Sequence, residues 1–347
     1  MKSQLFILQG PPRDATTPAL KMAAKRYTKG SSAGNTQGLT LLFTHCIGAH
    51  KEHWEPIIER LFDLRNTKDE QHRLREAWSF DYQNHGDSAV LNREALKSRP
   101  EGVSAYEWSA AMASSLALHD TQLVQLPRMS AISLMSCFPL TRPYHRLMTT
   151  KHLRPPYPHS AIVLIEPTIV TRELFNAHFE ERMDQMDFAV SATLTRRDNW
   201  QSREQALKYF KKRIPWGMWD ERVVKLYVKY GLENSPNGEG FTLKCDRKQE
   251  SVSFPDVEPH FEGAIRLAEI CRFVPIHLIW GTRNDLVPDY IQDSLSHPSE
   301  GRKVASVTKI EDAGHLVVQE KPDELALAIS HILDGINIAT SIGLAKL

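Results

Sequence analysis

Apolar and polar positions alternate along this chain in two periods, one typical of buried strands and the other of amphipathic helices. Short apolar runs bounded by turn-forming residues predict strands at residues 39–44, 77–82, 162–165, 276–280 and 304–309. Apolar residues at helical spacing predict helices at 53–64, 104–119 and 322–333, and residues 1–38 are predicted to form an extended N-terminal lead. This alternation predicts an α/β fold with a doubly wound, mostly parallel sheet covered on both faces.

Residues 168–255 interrupt that alternation. They contain three stretches with helical spacing, at 171–186, 202–213 and 220–230, and the stretch 241–245 is predicted to be extended. We expect this segment to form a helical cap over the carboxyl ends of the strands, while residues 1–167 and 256–347 form the core. Phe210, Trp216, Trp219 and Tyr227 fall within it. They either line a substrate site or pack the cap helices together, and the pattern does not distinguish these alternatives.

Composition excludes several classes of function. The chain has 347 residues with 43 basic and 42 acidic side chains, so its net charge of +1 predicts no nucleic-acid partner. The four cysteines, Cys46, Cys137, Cys245 and Cys271, are widely spaced, which argues against disulfides and zinc sites and indicates a reducing compartment. No apolar stretch approaches the roughly 20 residues that span a bilayer, and the N-terminal apolar run is too short for a signal peptide. We therefore expect a soluble intracellular protein.

Candidate catalytic residues lie in the last third of the chain. Asp285 follows the apolar run 276–280, and His315 comes thirty residues later in the sequence Asp-Ala-Gly-His. A carboxylate that fixes the tautomer of an imidazole lets that imidazole take a proton from a nucleophile. Glu166, directly after the 162–165 strand, is the alternative acid. The turn residues around Asp285, from Gly281 to Pro288, favour Asp285 as the acid.

The turn after the first predicted strand has the sequence His45-Cys46-Ile47-Gly48. A turn at this place supplies a backbone N–H to the oxyanion hole of α/β-hydrolases, and the donor here is expected to be Cys46 or Ile47. The spacing of His45 with two further histidines, His50 and His53, matches no standard metal site. We expect neither a metal nor a cofactor.

The nucleophile is the least regular part of the pattern. It is expected between residues 127 and 138, on a strand–turn–helix in which small residues flank a serine. No Gly-x-Ser-x-Gly occurs in this window, and Ser133 and Ser136 are the candidates. Three explanations remain open. In the first, one of these serines is the nucleophile on a distorted turn. In the second, the protein has the fold of such enzymes but no acyl-transfer activity. In the third, this segment is translated across a misplaced splice boundary.

The chain ends in Ala345-Lys346-Leu347. This tripeptide is a conservative variant of the Ser-Lys-Leu peroxisomal address, in which a small residue, a cation and an apolar terminal residue are read by an import receptor. It predicts a peroxisomal location, with the cytoplasm as the alternative.

Together these segments resemble the α/β-hydrolase superfamily. Within it the chain is similar to the fungal peroxisomal group that includes yeast peroxisomal lipase and the hydrolases of Alternaria host-selective toxin clusters. The resemblance lies in residues 41–56, 80–88, 163–167, 280–288 and 313–315 and in the tail, and it excludes about residues 120–160. It implies a doubly wound sheet with a cap, a Ser-His-Asp site, ester or thioester substrates, and a role in a toxin or other secondary-metabolite pathway that runs partly in peroxisomes.

The resulting hypothesis is a serine hydrolase that acts on a small-molecule acyl ester or thioester. His315 would be the general base, Asp285 would orient it, and Ser133 or Ser136 would attack. The alternative is a hydrolase-fold accessory or binding protein of the same pathway that performs no acyl transfer.

Overall fold

The computed structural model describes residues 1–117, 131–136 and 159–336, with side chains described at 1–114 and 160–336. The predicted elbow turn and helix after Ser136 and the tail Ala345–Leu347 lie outside these residues.

One mixed sheet forms the centre of the described part of the chain. Its strand order is β1-β2-β4-β3-β5-β6-β10-β11, with antiparallel pairing at β1–β2 and β2–β4 and parallel pairing elsewhere. This arrangement confirms the predicted α/β class with a mostly parallel sheet. The strands of the sheet are β1 (Lys2–Gln9), β2 (Lys21–Thr28), β3 (Leu39–Thr44), β4 (Leu74–Phe80), β5 (Ala131–Ser136), β6 (His159–Ile165), β10 (Ile276–Gly281) and β11 (Ser306–Ile310).

Helices on both faces bury the apolar side chains of the sheet. The helices of the described residues outside the segment 168–255 are α1 (Glu55–Arg65), α2 (Gly86–Leu91), α3 (Arg93–Lys97), α4 (Ala105–Ala117), α10 (Glu258–Ile270), α11 (Asp289–Ser294), α12 (Val317–Glu320) and α13 (Pro322–Asp334). Val163 and Ile165 of β6 pack in one cluster with α1 and α13, whereas Ile162 and Leu164 pack in another with α10. Successive residues of a strand point to opposite faces. A strand buried on both faces therefore needs the uninterrupted apolar run that β6 shows.

The N-terminal prediction requires a correction. Residues 1–38 are not a lead outside the fold, because β1 and β2 form an antiparallel pair and β2 pairs with β4. Lys25 of β2 forms an ion pair of 2.7 Å with Glu55, and Arg26 forms one of 2.6 Å with Glu76. Two basic residues of this strand thus have acidic partners, and one of these partners, Glu76, is fully buried.

The segment between β6 and α10 has its own secondary structure and its own apolar cluster. It contains α5 (Arg172–Ala177), α6 (Phe179–Thr195), α7 (Arg203–Phe210), α8 (Glu221–Tyr230) and α9 (Arg247–Ser251), and an antiparallel sheet of β7 (Asn199–Trp200), β9 (Phe241–Leu243) and β8 (Leu232–Asn234). The three predicted helical stretches and the extended one coincide with these elements. The domain boundaries at residues 167 and 256 stay a prediction.

No helix in the described ranges is both long and apolar enough to cross a membrane.

Candidate active site

The candidate residues gather where the parallel strands end. Cys46 follows β3, Ser136 closes β5, Glu166 follows β6, Asp285 follows β10, and His315 follows β11. Parallel neighbours end at the same edge of a sheet, and ligands of open α/β sheets bind outside that edge. The sheet order thus brings together residues that lie up to 269 positions apart in the sequence.

Two carboxylates contact His315 at different atoms. The ring Nδ1 lies 3.2 Å from Oε2 of Glu166, and the side chains are 10% and 3% exposed, respectively. Asp285 Oδ1 instead accepts a hydrogen bond of 2.8 Å from the backbone N–H of His315. Asp285, which the sequence favoured as the acid that orients the imidazole, therefore contacts the backbone of the loop. Glu166, the alternative acid, contacts the imidazole ring.

The backbone of Glu166 is fixed in an uncommon conformation. Its φ of 50° lies in the left-handed region, which few residues other than glycine adopt. The Glu166 N–H donates to Ile279 O at 2.9 Å, and the N–H of Gly281 donates to the carboxylate Oε1. Strained backbone of this kind persists where surrounding contacts enforce it, and it is frequent at active sites. Here it turns a carboxylate at the end of β6 toward His315.

Asp285 is held in a crowded but more exposed position. Its side chain is 46% exposed, and Oδ2 lies 3.6 Å from the Arg283 guanidinium. A Cβ atom on Gly314 would lie 2.0 Å from the same oxygen, so any larger residue would have to displace the Asp285 side chain. The glycine before the histidine is thus required by the contact between Asp285 and the loop.

The pKa of His315 is raised above its ordinary value. Burial alone lowers the pKa, but the hydrogen bond to Glu166 and the charge of that carboxylate outweigh burial, and Cys46 and Asp285 add smaller contributions. An imidazole that holds a proton more strongly is a better general base. Glu166 is the main source of that effect.

The turn after β3 is oriented by the ring of His45. The backbone N–H of Tyr82 donates to His45 Nε2 at 3.2 Å, so the ring is neutral and Nδ1–H donates to Cys46 O at 2.8 Å. Burial lowers the pKa of His45 well below its ordinary value, which maintains this neutral form. In a trans peptide the C=O and the following N–H point in opposite directions. Fixing the Cys46 carbonyl therefore also fixes the N–H of Ile47.

Cys46 and Ile47, the two predicted oxyanion donors, both line the cavity that His315 also lines. The Ile47 N–H has no hydrogen-bond acceptor among the described residues, whereas Gly48 N–H donates to His85 Nε2 at 3.1 Å. Gln319 Nε2 donates a hydrogen bond of 3.6 Å to Cys46 Sγ. The Ile47 N–H thus meets the requirement of an available donor at this turn.

The two candidate nucleophiles differ in their position on β5. Ser133 lies in the middle of the strand and is in register with Leu42 on one side and Ile162 on the other. Ser136 is the last residue of β5 and is in register with Ile165, the residue before Glu166. Ser136 therefore lies at the same edge of the sheet as the acid and the base. Ser133 lies three residues earlier in the strand, away from that edge.

An apolar cavity of about 460 Å³ adjoins His315. Its lining includes Met186 and Ala189 of α6, Ile214 and Met218 from the segment after α7, and Val287 after β10. The four aromatic residues singled out in the sequence do not line it. Phe210, Trp216, Trp219 and Tyr227 pack against each other and against Trp200 in a separate cluster. For these four side chains the packing alternative is the correct one.

The histidines near β3 have partners other than a metal. His50 Nδ1 lies 3.0 Å from Glu52 Oε2, and His53 Nδ1 lies 3.4 Å from Gln319 Nε2. Within the described ranges, no group of three or more metal-ligating side chains has a suitable arrangement. The His50 ring stacks on Tyr227, and the His53 ring contacts Trp219 and Tyr227 of the segment 168–255.

Comparison with known proteins agrees with this architecture. The sequence model of the alpha/beta hydrolase family matches residues 41–328. None of the curated protein sequences matches the chain significantly.

Solved structures share the fold at low sequence identity. The peroxisomal alpha-beta-hydrolase Lpx1 from Saccharomyces cerevisiae is 16% identical with a TM-score of 0.71, over 96% of this chain and 89% of that one. An esterase of Mycobacterium tuberculosis is 17% identical with a TM-score of 0.60, over 96% and 92%. The thioesterase domain from the curacin biosynthetic pathway is 12% identical with a TM-score of 0.60, over 96% and 99%. The predicted α/β-hydrolase fold is thereby confirmed, and the chain belongs to the alpha/beta hydrolase family.

Proposed function

We propose that this protein hydrolyses esters or thioesters of acyl chains, with His315 as general base and Glu166 as the acid that orients it. The observation that carries the proposal is the 3.2 Å contact between His315 Nδ1 and the buried Glu166 carboxylate. A carboxylate at Nδ1 leaves Nε2 as the atom that receives a proton from the nucleophile. The apolar cavity beside this pair suits a hydrocarbon chain.

The reaction would follow two steps of acyl transfer. The Ser136 hydroxyl attacks the acyl carbon as His315 takes its proton, and the Ile47 N–H stabilises the negative charge on the acyl oxygen. The imidazolium then gives its proton to the departing alkoxide or thiolate. Water then attacks the acyl-serine as His315 takes its proton, and the imidazolium gives that proton to the departing Ser136 oxygen, which releases the acid and restores the free enzyme. We assign Ser136 rather than Ser133 because Ser136 is the one at the carboxyl end of β5.

Asp285 would have a different role in this site. Its carboxylate accepts the His315 backbone N–H and thereby fixes the loop that carries the base. We therefore propose Glu166 as the orienting acid and Asp285 as a positioning residue, which reverses the preference drawn from the sequence.

A histidine pair tests the proposal directly. The purified protein is assayed with p-nitrophenyl hexanoate and with hexanoyl-CoA, beside His315→Ala and the control His331→Ala. His331 is an exposed residue of α13. We expect the first variant to lose about 1,000-fold or more in kcat and the control to match the parent protein. Equal turnover by the parent and His315→Ala would refute the proposed chemistry.

The nucleophile is tested by a second pair. Ser136→Ala should abolish the burst of p-nitrophenol and Ser133→Ala should retain it. Mass spectrometry of the protein quenched with substrate should locate the acyl group on the peptide that contains Ser136. Acylation of another residue would support the proposed hydrolysis and reject Ser136 as its nucleophile.

A non-catalytic alternative has one specific observation in its favour, the absence of a Gly-x-Ser-x-Gly sequence between residues 127 and 138, where the nucleophile is expected. Such an accessory protein would bind an acyl compound in the cavity without turning it over. Absence of turnover combined with acyl-chain binding, measured by calorimetry, would support this alternative.

The peroxisome is the proposed site of action. Two observations support it: the Ala345-Lys346-Leu347 tripeptide, and the fold shared with a peroxisomal hydrolase of yeast. A fluorescent fusion without the tripeptide should become cytosolic, and unchanged puncta would reject the tripeptide as the signal. A place in secondary metabolism, including toxin biosynthesis, is supported by the sequence resemblance alone. Metabolite profiling of a deletion strain would test it through accumulation of an acyl ester or thioester.

A further inference from the structure

One basic side chain lies in the wall of the apolar cavity. Arg182 of α6 lines it, as His315 does, and the Arg182 side chain is only 9% exposed. Among the described residues that line the cavity, Arg182 is the only lysine or arginine. A cation buried among apolar side chains is costly unless an anion and hydrogen-bond acceptors surround it.

The protein itself satisfies only part of this guanidinium. Nη2 donates to Glu181 Oε1 at 2.6 Å, and Glu181 is 48% exposed. Nη1 makes a long contact of 3.3 Å with Leu286 O, and Nε has no acceptor although it is buried. A guanidinium has five N–H donors in one plane, so donors remain for a second carboxylate.

Arg182 is also connected to the catalytic loop. The carbonyl to which it donates belongs to Leu286, the residue after Asp285, and Asp285 holds the backbone of His315. Besides Asp285, the carboxylates with which the described part of the chain lines the cavity are those of Glu320 and Asp256. Glu320 already accepts from Arg283 at 2.7 Å and from Gly314 N–H at 3.0 Å. Burial raises the pKa of the Asp256 carboxyl above its ordinary value.

We propose that Arg182 binds a carboxylate at the far end of the acyl chain, so that the preferred substrates are half-esters or half-thioesters of dicarboxylic acids. This inference rests on the proposed ester hydrolysis and names its substrate class. The apolar wall holds the methylene chain, His315 acts at one end, and the guanidinium binds the other end. Planar, charge-assisted pairing with a carboxylate is the interaction that arginine makes best.

The rival role for Arg182 is structural. Its guanidinium carbon lies 5.8 Å from the ring centroid of Tyr290, and the Tyr290 hydroxyl contacts Glu181 at 3.3 Å. Loss of Arg182 could therefore loosen the contact between α6 and α11 and impair every substrate alike. Tyr290→Phe disturbs the same junction while keeping the cation, and it serves as the matched control.

The experiment compares two esters of equal chain length, p-nitrophenyl hexanoate and mono-p-nitrophenyl adipate, which differ by a terminal carboxylate. We expect the parent protein to prefer the adipate ester. Arg182→Met should lower kcat/KM for the adipate ester by about tenfold or more, mainly through KM, and change the hexanoate value by less than about threefold. Arg182→Lys should fall between, and Tyr290→Phe should affect both esters equally.

Glu181 gives a variant with the opposite expected direction. Glu181→Gln removes the competing charge from the guanidinium, so KM for the adipate ester should fall by about two- to fivefold while the hexanoate value stays constant. Equal losses for both esters in Arg182→Met, or a parent protein without preference for the adipate ester, would overturn the inference.

Binding of free adipate, followed by calorimetry, separates this inference from the proposed function. Adipate that binds the parent protein and not Arg182→Met supports the carboxylate site even if neither ester is hydrolysed. If both esters are hydrolysed and adipate binds the parent protein and Arg182→Met equally, the proposed ester hydrolysis is supported and the carboxylate site at Arg182 is refuted.

Discussion

Replacing Glu166 and Asp285 separately should have very unequal effects on catalysis. Glu166→Gln removes the charge that faces the His315 ring, and its amide can present an N–H to Nδ1 and thus favour the wrong tautomer. Asp285→Asn keeps a carbonyl oxygen for the backbone N–H of His315. Each variant removes one negative charge and replaces one carboxylate oxygen with an amide nitrogen.

The magnitudes follow from distance and exposure. At 3.2 Å between Nδ1 and Oε2, and with an effective dielectric constant of about 20, the attraction between the imidazolium and Glu166 is at most about 5 kcal/mol. Loss of the orienting acid in acyl-transfer triads costs up to about 10,000-fold in kcat. We expect a loss of about 100-fold or more for Glu166→Gln. Asp285 is 46% exposed, so its charge contributes about 1 kcal/mol or less, which corresponds to a loss of about fivefold.

The pH dependence gives a second, independent measure. His315 must be neutral to accept a proton, so the acid limb of kcat/KM follows its pKa. Glu166 raises that pKa against the effect of burial. The acid limb should therefore move to lower pH in Glu166→Gln and stay nearly unchanged in Asp285→Asn.

Both variants are assayed with p-nitrophenyl hexanoate from pH 5 to 8 at constant ionic strength, and their thermal unfolding midpoints are compared with that of the parent protein. Equal losses, or a larger loss and a larger shift for Asp285→Asn, would refute the assignment of Glu166 as the orienting acid.

Three further predictions concern the loops and the buried charges. Gly314→Ala should lower kcat by at least about tenfold, because its Cβ would lie 2.0 Å from an Asp285 carboxylate oxygen. The control Gly34→Ala should match the parent protein in the same assay, because a Cβ at that position meets no atom within 4 Å. Arg196 and Glu250 form a buried pair with bonds of 3.0 and 2.7 Å, so Arg196→Met should lower the free energy of unfolding by about 3 kcal/mol in urea denaturation; Arg196→Met combined with Glu250→Leu should recover much of that loss. Burial lowers the pKa of His85 to about 4, below its unfolded value of about 6.5, so the unfolded chain binds more protons in between. Stability is therefore lost as pH falls through this window, by up to about 3 kcal/mol from this residue, and His85→Gln should show a smaller loss when urea denaturation is compared at pH 7 and pH 5.

The sheet could be predicted from sequence wherever a strand is buried on both faces. Such a strand is mostly apolar, as β3, β6 and β10 are, although Thr40 interrupts β3 and His277 interrupts β10. The N-terminal pair β1 and β2 was missed because β1 is an edge strand with exposed apolar residues and β2 carries charged residues. Their partners, such as Glu55 and Glu76, come from distant parts of the chain. Nothing in the local pattern indicates those ion pairs.

The site could be predicted as a group of residues but not in its detailed contacts. Sequence order places Glu166 and Asp285 after two strands, and these strands, β6 and β10, prove to be neighbours in the sheet. Which carboxylate faces His315 depends on the positive φ of Glu166, a property that the identity of the residue does not reveal. Likewise, the role of His45 in fixing the Cys46 carbonyl depends on Tyr82, which belongs to another segment.

The two acids beside one imidazole have a consequence for the history of such sites. A single residue exchange that weakens either acid leaves the other in place, one hydrogen bond away from the same loop. Transfer of the orienting role to the neighbouring strand would therefore require the Asp285 carboxylate to move from the backbone N–H of His315 to its ring. This chain has a carboxylate at each of the two places, which is the first requirement for such a transfer.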